Sequence, residues 1–280
     1  MFAKLRNSWA LIKASAGVLR ADKELIVFPL ISAIGVIIVT ISFAFPMMLT
    51  GMFDSLLQGR SRVFGFIVGF LFYVVQYTVI IFANSALVGA AMIRLRGGDP
   101  TVGDGFRIAM KHIGSILAYA LISATVGTIL RWISERGKMV GRIVASILGM
   151  GWNLATYLVI PVLVVEGVDP MTAIKRSASL LKQTWGEQIA GNFGIGSISG
   201  LLTLVVFFLG IPAIIFAISI QSVVLVAFAV VTLVLVVVFI SLISSALTGI
   251  YIAAVYRYAA EGESSGFFSE EMVQEAFRVK

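Results

Sequence analysis

The chain has 280 residues, a formal net charge of +7 and 59% hydrophobic residues against 12% charged ones. Its mean hydropathy of +1.03 is high for a soluble globular domain, so we predict an integral membrane protein. It contains no cysteine, which excludes disulfides, thiolate catalysis and cysteine-ligated metals. The positive charge is better explained by basic residues at the cytoplasmic membrane surface than by nucleic-acid binding.

A helix needs about 20 apolar residues to cross the hydrocarbon core of a bilayer. Six blocks of the sequence are apolar and long enough to do so: 25–50, 63–93, 113–133, 143–165, 188–218 and 222–257. We therefore predict an all-α fold, a polytopic bundle of six transmembrane helices with short connections. These connections leave no room for a separate catalytic domain.

The boundary between the fifth and sixth blocks is ambiguous in the sequence. Gly210-Ile211-Pro212 can kink or end a helix, because proline removes a backbone donor and clashes with the preceding turn. Ser219-Ile220-Gln221-Ser222 is the best candidate for a turn. Three alternatives stay open for Ile211–Ser222: a kink, a turn or a re-entrant segment.

The distribution of basic residues predicts the orientation of the chain. Six crossings place both termini on one side, and that side receives most of the Lys and Arg residues outside the spans. The positive-inside rule then places the N- and C-termini in the cytoplasm of a multi-pass protein of the cell (inner) membrane. The basic loop from Arg131 to Arg142, on the other side, argues against this orientation.

Three segments on the more basic side have the period of short amphipathic helices. Their apolar stripes are Phe2, Leu5, Trp9, Ile12, Ala16 and Leu19; Val102, Phe106, Ala109 and Ile113; and Met171, Ile174, Ala178, Leu181 and Trp185. Basic residues flank each stripe, so we expect these helices to lie at the headgroup boundary.

Basic residues of the second and third segments are candidates for binding anionic lipid headgroups. They are Lys175, Arg176, Lys182, Arg107 and Lys111. The alternative is that they act only as determinants of membrane orientation.

The second and third amphipathic segments begin alike, with Gly98-Asp99-Pro100 and Val168-Asp169-Pro170. Each motif predicts aspartate as the helix N-cap and proline as the first helical residue. The recurrence suggests a threefold repeat of one short helix and two crossings, over residues 1–93, 97–166 and 167–260. Independent recurrence of capped helices is the alternative.

The domain prediction is one transmembrane domain, 1–261, followed by a cytoplasmic tail, 262–280. A short amphipathic helix capped by Ser269 is expected in the tail, with acidic residues first and basic residues last, as suits the helix dipole.

Several stretches resemble a known family. They are Ser8-Trp9, Asp22-Lys23-Glu24-Leu25, Phe28-Pro29-Leu30, the run 82–88, Gly98-Asp99-Pro100-Thr101, and the block from Trp152 through Pro161, Glu166 and Lys175-Arg176-Ser177 to Trp185-Gly186. The chain thereby resembles an uncharacterised prokaryotic family of six-helix integral membrane proteins (DUF6159-like). More distantly it resembles the membrane domain attached to some bacterial glycerophosphodiester phosphodiesterases. The resemblance implies the six-helix fold but no activity, and the phosphodiesterase catalytic barrel has no counterpart here.

Few residues offer catalytic chemistry. His112 is the one histidine, without a neighbouring carboxylate in sequence, and no metal-ligand spacing occurs, so we expect no enzyme, no metal and no cofactor. The polar candidates inside the spans are the amides Gln76, Asn84, Asn153 and Asn192. They either join helices by hydrogen bonds or line a path for a substrate.

Small residues spaced four apart predict close helix contacts. The candidates are Gly196 and Gly200 in the fifth span and Ser241, Ser245 and Gly249 in the sixth. They pack helices within the chain or form the interface of a homo-oligomer.

Two functions from different classes follow. We favour a non-enzymatic membrane protein that organises or binds anionic lipid or partner proteins through its basic interfacial helices. The alternative is a passive channel or transporter for a lipid or small neutral solute. No nucleic-acid partner is expected.

Overall fold

The computed structural model describes residues 2–51, 62–185, 194–263, 266–268 and 273, and contains no strand within them. The helices are α1 (Phe2–Ala21), α2 (Val27–Leu49), α3 (Arg62–Leu95), α4 (Val102–Lys111), α5 (Ile113–Arg136), α6 (Lys138–Ala155), α7 (Pro170–Trp185), α8 (Gly194–Ser219) and α9 (Val223–Glu261). A 3₁₀ turn, Lys23–Ile26, joins α1 to α2. The all-α prediction is confirmed.

Six segments of the described chain are long and apolar enough to cross a membrane. They are Lys23–Leu49, Val63–Leu95, Ile113–Arg136, Met139–Glu166, Ser199–Ser219 and Val223–Glu261. Each overlaps one of the six predicted blocks, which confirms the prediction of six apolar spanning helices. A short helix, α1, α4 or α7, precedes each of the three pairs of spans.

The fourth span is broken near its end. Helix α6 ends at Ala155, and a short helical turn, Val159–Pro161, leads into a π-helical segment, Val162–Glu166. Pro161 cannot donate to the carbonyl of Tyr157 four residues earlier and clashes with it, which accounts for a break at that position. Gly167, in a left-handed conformation with φ of 66°, ends the segment.

The fifth and sixth spans form a helical hairpin. Pro212 lies inside α8, which continues to Ser219. A turn follows, in which Gln221 has a φ of 56° and the Ser222 side chain accepts a hydrogen bond from the Leu225 amide. Of the three alternatives for this region, the structure therefore has the turn.

The buried core is concentrated at one end of the bundle, which we call the basic end. It comprises α1, α4, α7, the start of α2 and the last turns of α3 and α9. Its largest fully buried side chains include Val18, Leu25, Phe28, Leu87, Ile116, Leu158, Leu163, Ile250 and Phe268. By contrast, α8 and the first half of α9 expose large apolar side chains, as expected of surfaces that face lipid.

The buried faces of α1 and α7 match the predicted stripes in part: Leu181 is buried, and Ile12, Ala16, Leu19 and Ile174 pack against the core. In α1 the buried residues are Leu11, Ala14, Ser15 and Val18, and in α7 they are Ala173, Ser177, Leu180 and Leu181. Trp9 and Met171, which belong to the predicted stripes, are exposed. The reason is that these faces pack against the spanning helices, where small Ala and Ser side chains allow close approach.

Glycines mark the closest helix contacts. A Cβ atom at Gly105 of α4 would lie 2.4 Å from Cζ of Phe28 and 2.7 Å from the carbonyl oxygen of Ala86. A Cβ atom at Gly249 of α9 would lie 2.3 Å from Cδ2 of Leu87. Helices α4 and α9 therefore both approach α3 at positions that admit no side chain.

Replacing Gly105 with alanine is expected to destabilise the protein by about 1–3 kcal/mol, because the backbone of α3 must shift to admit the methyl group. The matched control is Gly103→Ala in the same helix, where the nearest atom to a new Cβ is Thr101 Oγ1 at 3.6 Å. The control should keep or slightly raise stability, since alanine favours a helix over glycine. Thermal unfolding in micelles, followed by tryptophan fluorescence, compares the two; equal midpoints would refute this packing.

Candidate functional site

The end of α3 is closed by a glycine C-cap. Gly97 has a φ of 89°, and the Gly98 amide donates to the carbonyl of Ile93 at 3.0 Å. This is the hydrogen bond of a Schellman motif, which needs a residue in the left-handed conformation. Gly97-Gly98 thus has a structural role at a helix end.

Helix α4 is capped by a different residue from the predicted one. The Asp104 amide donates to Thr101 Oγ1 at 3.2 Å, and the Thr101 amide donates to Asp104 Oδ2 at 3.0 Å. These bonds form a capping box. The Thr101 hydroxyl also donates to Asp104 Oδ2 at 2.7 Å, and this bond, together with the one from the Thr101 amide, holds the pKa of Asp104 below its usual value. The prediction of Asp99 as cap and Pro100 as first helical residue is wrong, because the capping box starts the helix two residues later and Asp99 instead pairs with Arg94 at 3.2 Å.

Helix α7 begins as predicted. Asp169 Oδ1 accepts hydrogen bonds from the amides of Met171 at 3.0 Å and Thr172 at 3.1 Å, and Pro170 is the first helical residue. Hydrogen bonding from Thr172, with a smaller contribution from Met171, lowers the pKa of Asp169. The cap therefore carries its negative charge where the helix dipole favours it.

Side chains from distant parts of the sequence satisfy backbone groups at the basic end. Glu24 Oε2 accepts from the Val102 amide at 2.7 Å, which joins the start of the first span to α4. The fully buried Ser177 accepts from the Leu158 amide at 2.9 Å, directly at the break in the fourth span. Ser177 was not a predicted site residue; a lone hydroxyl on an otherwise apolar helix face was the available signal.

Most arginines of the basic end are paired with carboxylates. The Arg176 Nε donates to Glu166 Oε1 at 3.2 Å, and the Tyr256 hydroxyl donates to the same oxygen at 3.2 Å. Arg107 pairs with Asp104. Two of the five predicted headgroup residues thus have their charges compensated within the chain.

The arginines at the ends of α3 and α9 are also engaged. Arg96 pairs with Glu261, and Arg257 donates to Glu263 Oε2 at 2.7 Å and to the carbonyl oxygen of Leu95. These contacts fasten the end of α9 to the end of α3. They are structural contacts between helix ends.

The lysines of the same end behave differently. Lys111, Lys175 and Lys182, the other three predicted headgroup residues, are exposed, and no carboxylate within the described ranges forms an ion pair with them. We call these three the free lysines.

The free lysine Lys111 borders a cavity of about 450 Å³ between α3, α4 and the π-helical segment. We call it the basic pocket. Its cationic and imidazole side chains are Arg96, Lys111 and His112, and its apolar walls are Met92, Ile93, Ile108, Val164 and Val165.

The amides predicted inside the spans lie apart. Gln76 Nε2 donates to Thr40 Oγ1 at 2.9 Å and to the Val36 carbonyl at 3.3 Å, so it joins α3 to α2. Asn84 is half-buried on α3, and Asn153 is exposed on α6. Asn192 lies outside the described residues, as does most of the predicted tail helix.

The small residues predicted to pack helices have mixed surroundings. Gly249 is buried against Leu87, whereas a Cβ atom at Gly200 would meet open space. Ser241 is exposed and Ser245 half-buried, while Gly196 belongs to α8. Ser244 of α9 also donates to Ser199 Oγ of α8 at 2.6 Å, which joins the two helices by a hydrogen bond.

The opposite end of the bundle has fewer free cations in the described residues. Arg131 pairs with Glu135 at 2.8 Å, and the Arg136 guanidinium lies 4.6 Å from the ring centroid of Trp132. Arg142 is exposed. Arg136 and Arg142 therefore offer control positions for charge removal.

His112 should titrate below its ordinary pKa of 6.5, because burial disfavours the imidazolium and Lys111 repels it. It is the one histidine of the chain, so its ring resonance in an NMR spectrum needs no assignment. Lys111→Gln should raise the measured pKa by removing the repulsion, and Lys175→Gln serves as the control that leaves it unchanged. A pKa at or above 6.5 in the wild type would contradict the burial of this ring.

Comparison with known proteins identifies one match. The model of a family described as a family of unknown function (DUF6159) matches residues 63–267, well over half of the chain. No curated protein and no solved structure matches. The more distant resemblance to the membrane domain of glycerophosphodiester phosphodiesterases thus finds no support.

Proposed function

Since the chain belongs to the family of unknown function DUF6159, we propose its function from the chemistry of its own residues. It is a non-enzymatic membrane protein that binds anionic lipid headgroups at its basic end. The observation that carries the proposal is the contrast between the paired arginines and the free lysines. Arg107, Arg176 and Arg257 face carboxylates of the chain, whereas Lys175 and Lys182 are exposed beside them in sequence without an ion pair among the described residues.

The position of the free lysines suits a membrane surface. They lie on or next to helices that pack at the ends of the apolar spans, which is the level of the lipid headgroups. A lysine near an anionic surface contributes about 1 kcal/mol of attraction, and its flexible stem lets the ammonium reach the headgroups. Several such residues at one end therefore give a useful preference for anionic lipid.

The proposal includes an orientation. With the basic end in the cytoplasm, both termini are cytoplasmic and the free lysines face the leaflet that carries anionic lipid. The membrane is then the cell (inner) membrane. The excess of free cations at the basic end supports this orientation over the reverse one.

Removing two free lysines tests the lipid preference. Wild-type protein in nanodiscs of mixed phosphatidylcholine and phosphatidylglycerol should retain an excess of phosphatidylglycerol, counted by native mass spectrometry. Lys175→Gln with Lys182→Gln should weaken that preference about tenfold or more, at about 1 kcal/mol per lysine. Added salt should reduce the wild-type preference, because exposed charges are screened.

The control for this experiment is Arg136→Gln with Arg142→Gln, which removes two charges from the opposite end of the bundle. It should leave most of the phosphatidylglycerol excess in place. If both double variants lose the same amount, the protein responds to net charge alone and the proposed role of the basic end fails.

The orientation can be tested with single cysteines, because the chain has none of its own. Met139 lies at the start of α6 and Met171 at the start of α7, and both side chains are exposed. The two variants are Met139→Cys and Met171→Cys. An impermeant maleimide should label the Met139→Cys variant in intact spheroplasts. It should label the Met171→Cys variant only after the membrane has been permeabilised. The opposite pattern would invert the proposed orientation.

A further inference from the structure

We infer that the basic pocket is a binding site for the phosphate group of an anionic ligand. The inference deepens the proposed function, on which it rests in part, by adding a defined site to a general surface attraction. It depends on Arg96, Lys111 and His112, whereas the surface attraction depends on Lys175 and Lys182. The two can therefore fail separately.

The side chains at the pocket carry donors and no carboxylate. Lys111 is the last residue of α4, His112 follows it, and Arg96 comes directly after α3, so three donors from two helix ends face one cavity. None of the residues that line it is acidic. Phosphate oxygens accept charge-assisted hydrogen bonds from such groups, and arginine and lysine are the residues that bind them best.

The pairing of Arg96 with Glu261 leaves room for a ligand. One guanidinium nitrogen donates to the Glu261 carboxylate, and 49% of the Arg96 side chain stays exposed. A guanidinium has five N–H donors, so several stay available to an oxyanion. Glu261 holds the guanidinium in place and lowers the net positive charge at the pocket without removing it.

The apolar walls indicate what else the ligand contains. Met92 and Ile93 come from α3, Ile108 from α4, and Val164 and Val165 from the π-helical segment. The volume of about 450 Å³ is larger than a bare phosphate needs and lies in the range of small-ligand sites. A phospholipid headgroup with the start of its acyl chains fits this division into a cationic rim and apolar walls.

Two glycines allow the elements around the pocket to approach each other closely. A Cβ atom at Gly89 would lie 2.9 Å from Cγ2 of Ile108, so α4 packs closely enough to form one wall. The left-handed Gly167 ends the π-helical segment next to His112, and a Cβ atom there would lie 3.3 Å from Cε1 of the imidazole. The histidine ring and the π-helical wall of the pocket therefore lie side by side.

The single histidine reports directly on occupancy. Protein without a histidine tag, in phosphatidylcholine nanodiscs, is titrated with dioctanoyl phosphatidylglycerol and, separately, with inorganic phosphate, while the His112 ring resonance is followed by NMR. We expect a saturable shift. A response to the lipid alone identifies the headgroup as the ligand, and a response to both shows that a phosphate group suffices.

Lys111→Gln should weaken the apparent affinity at least fivefold, and the control Arg142→Gln, which removes one charge from the opposite end of the bundle, should change it less than twofold. Both side chains are exposed, so folding should be preserved; equal thermal midpoints verify this. The inference is overturned if neither ligand shifts the resonance, or if the two variants weaken binding equally. The proposed function alone would be refuted by a different result. In that case the His112 resonance would shift as expected, but Lys175→Gln with Lys182→Gln would leave the preference for phosphatidylglycerol unchanged.

Discussion

The structure depends on one constraint: each backbone donor and acceptor needs a hydrogen-bond partner within the protein, because hydrocarbon offers none. Every helix end leaves several donors or acceptors free, and the chain brings many of its ends together at the basic end. Side chains satisfy them there: Glu24 at the start of α4, Ser177 at the break before Pro161, and Arg257 at the end of α3. The buried core lies around these contacts, so packing and hydrogen bonding stabilise the same end.

This constraint explains a division between the two basic residue types. A guanidinium is planar and offers five donors, so it can bind a carboxylate and a carbonyl at once, as Arg257 does with Glu263 and Leu95. An ammonium on a flexible stem is less suited to such fixed geometry. Arginine accordingly joins helix ends at the basic end, while the free lysines carry charge that faces outward.

The sequence predicts the parts of the fold that depend on local chemistry. Hydropathy locates all six spans, and Asp169-Pro170 correctly predicts the start of α7. The similar motif at Asp99-Pro100 gives a wrong prediction for the start of α4. Thr101 and Asp104 form the capping box of that helix, so it begins two residues later. The predicted stripes of α1 and α7 match the buried faces only in part, because the spanning helices contact these faces and the sequence does not reveal that contact. The basic pocket could not be predicted, since Arg96, Lys111 and Val165 meet only in three dimensions.

The break in the fourth span connects the structural and functional readings. Val164 and Val165 of the π-helical segment line the basic pocket, and the left-handed Gly167 that ends this segment lies beside the His112 ring. Pro161 accounts for the break, and Ser177 accepts the hydrogen bond of the Leu158 amide, which has no helical acceptor there. Lys175 and Arg176 directly precede Ser177; Lys175 has no ion pair among the described residues, and Arg176 pairs with Glu166 at the end of the π-helical segment. The helix that stabilises the break therefore also carries the exposed Lys175 and Lys182, so α7 connects the folding of the basic end with its proposed lipid binding.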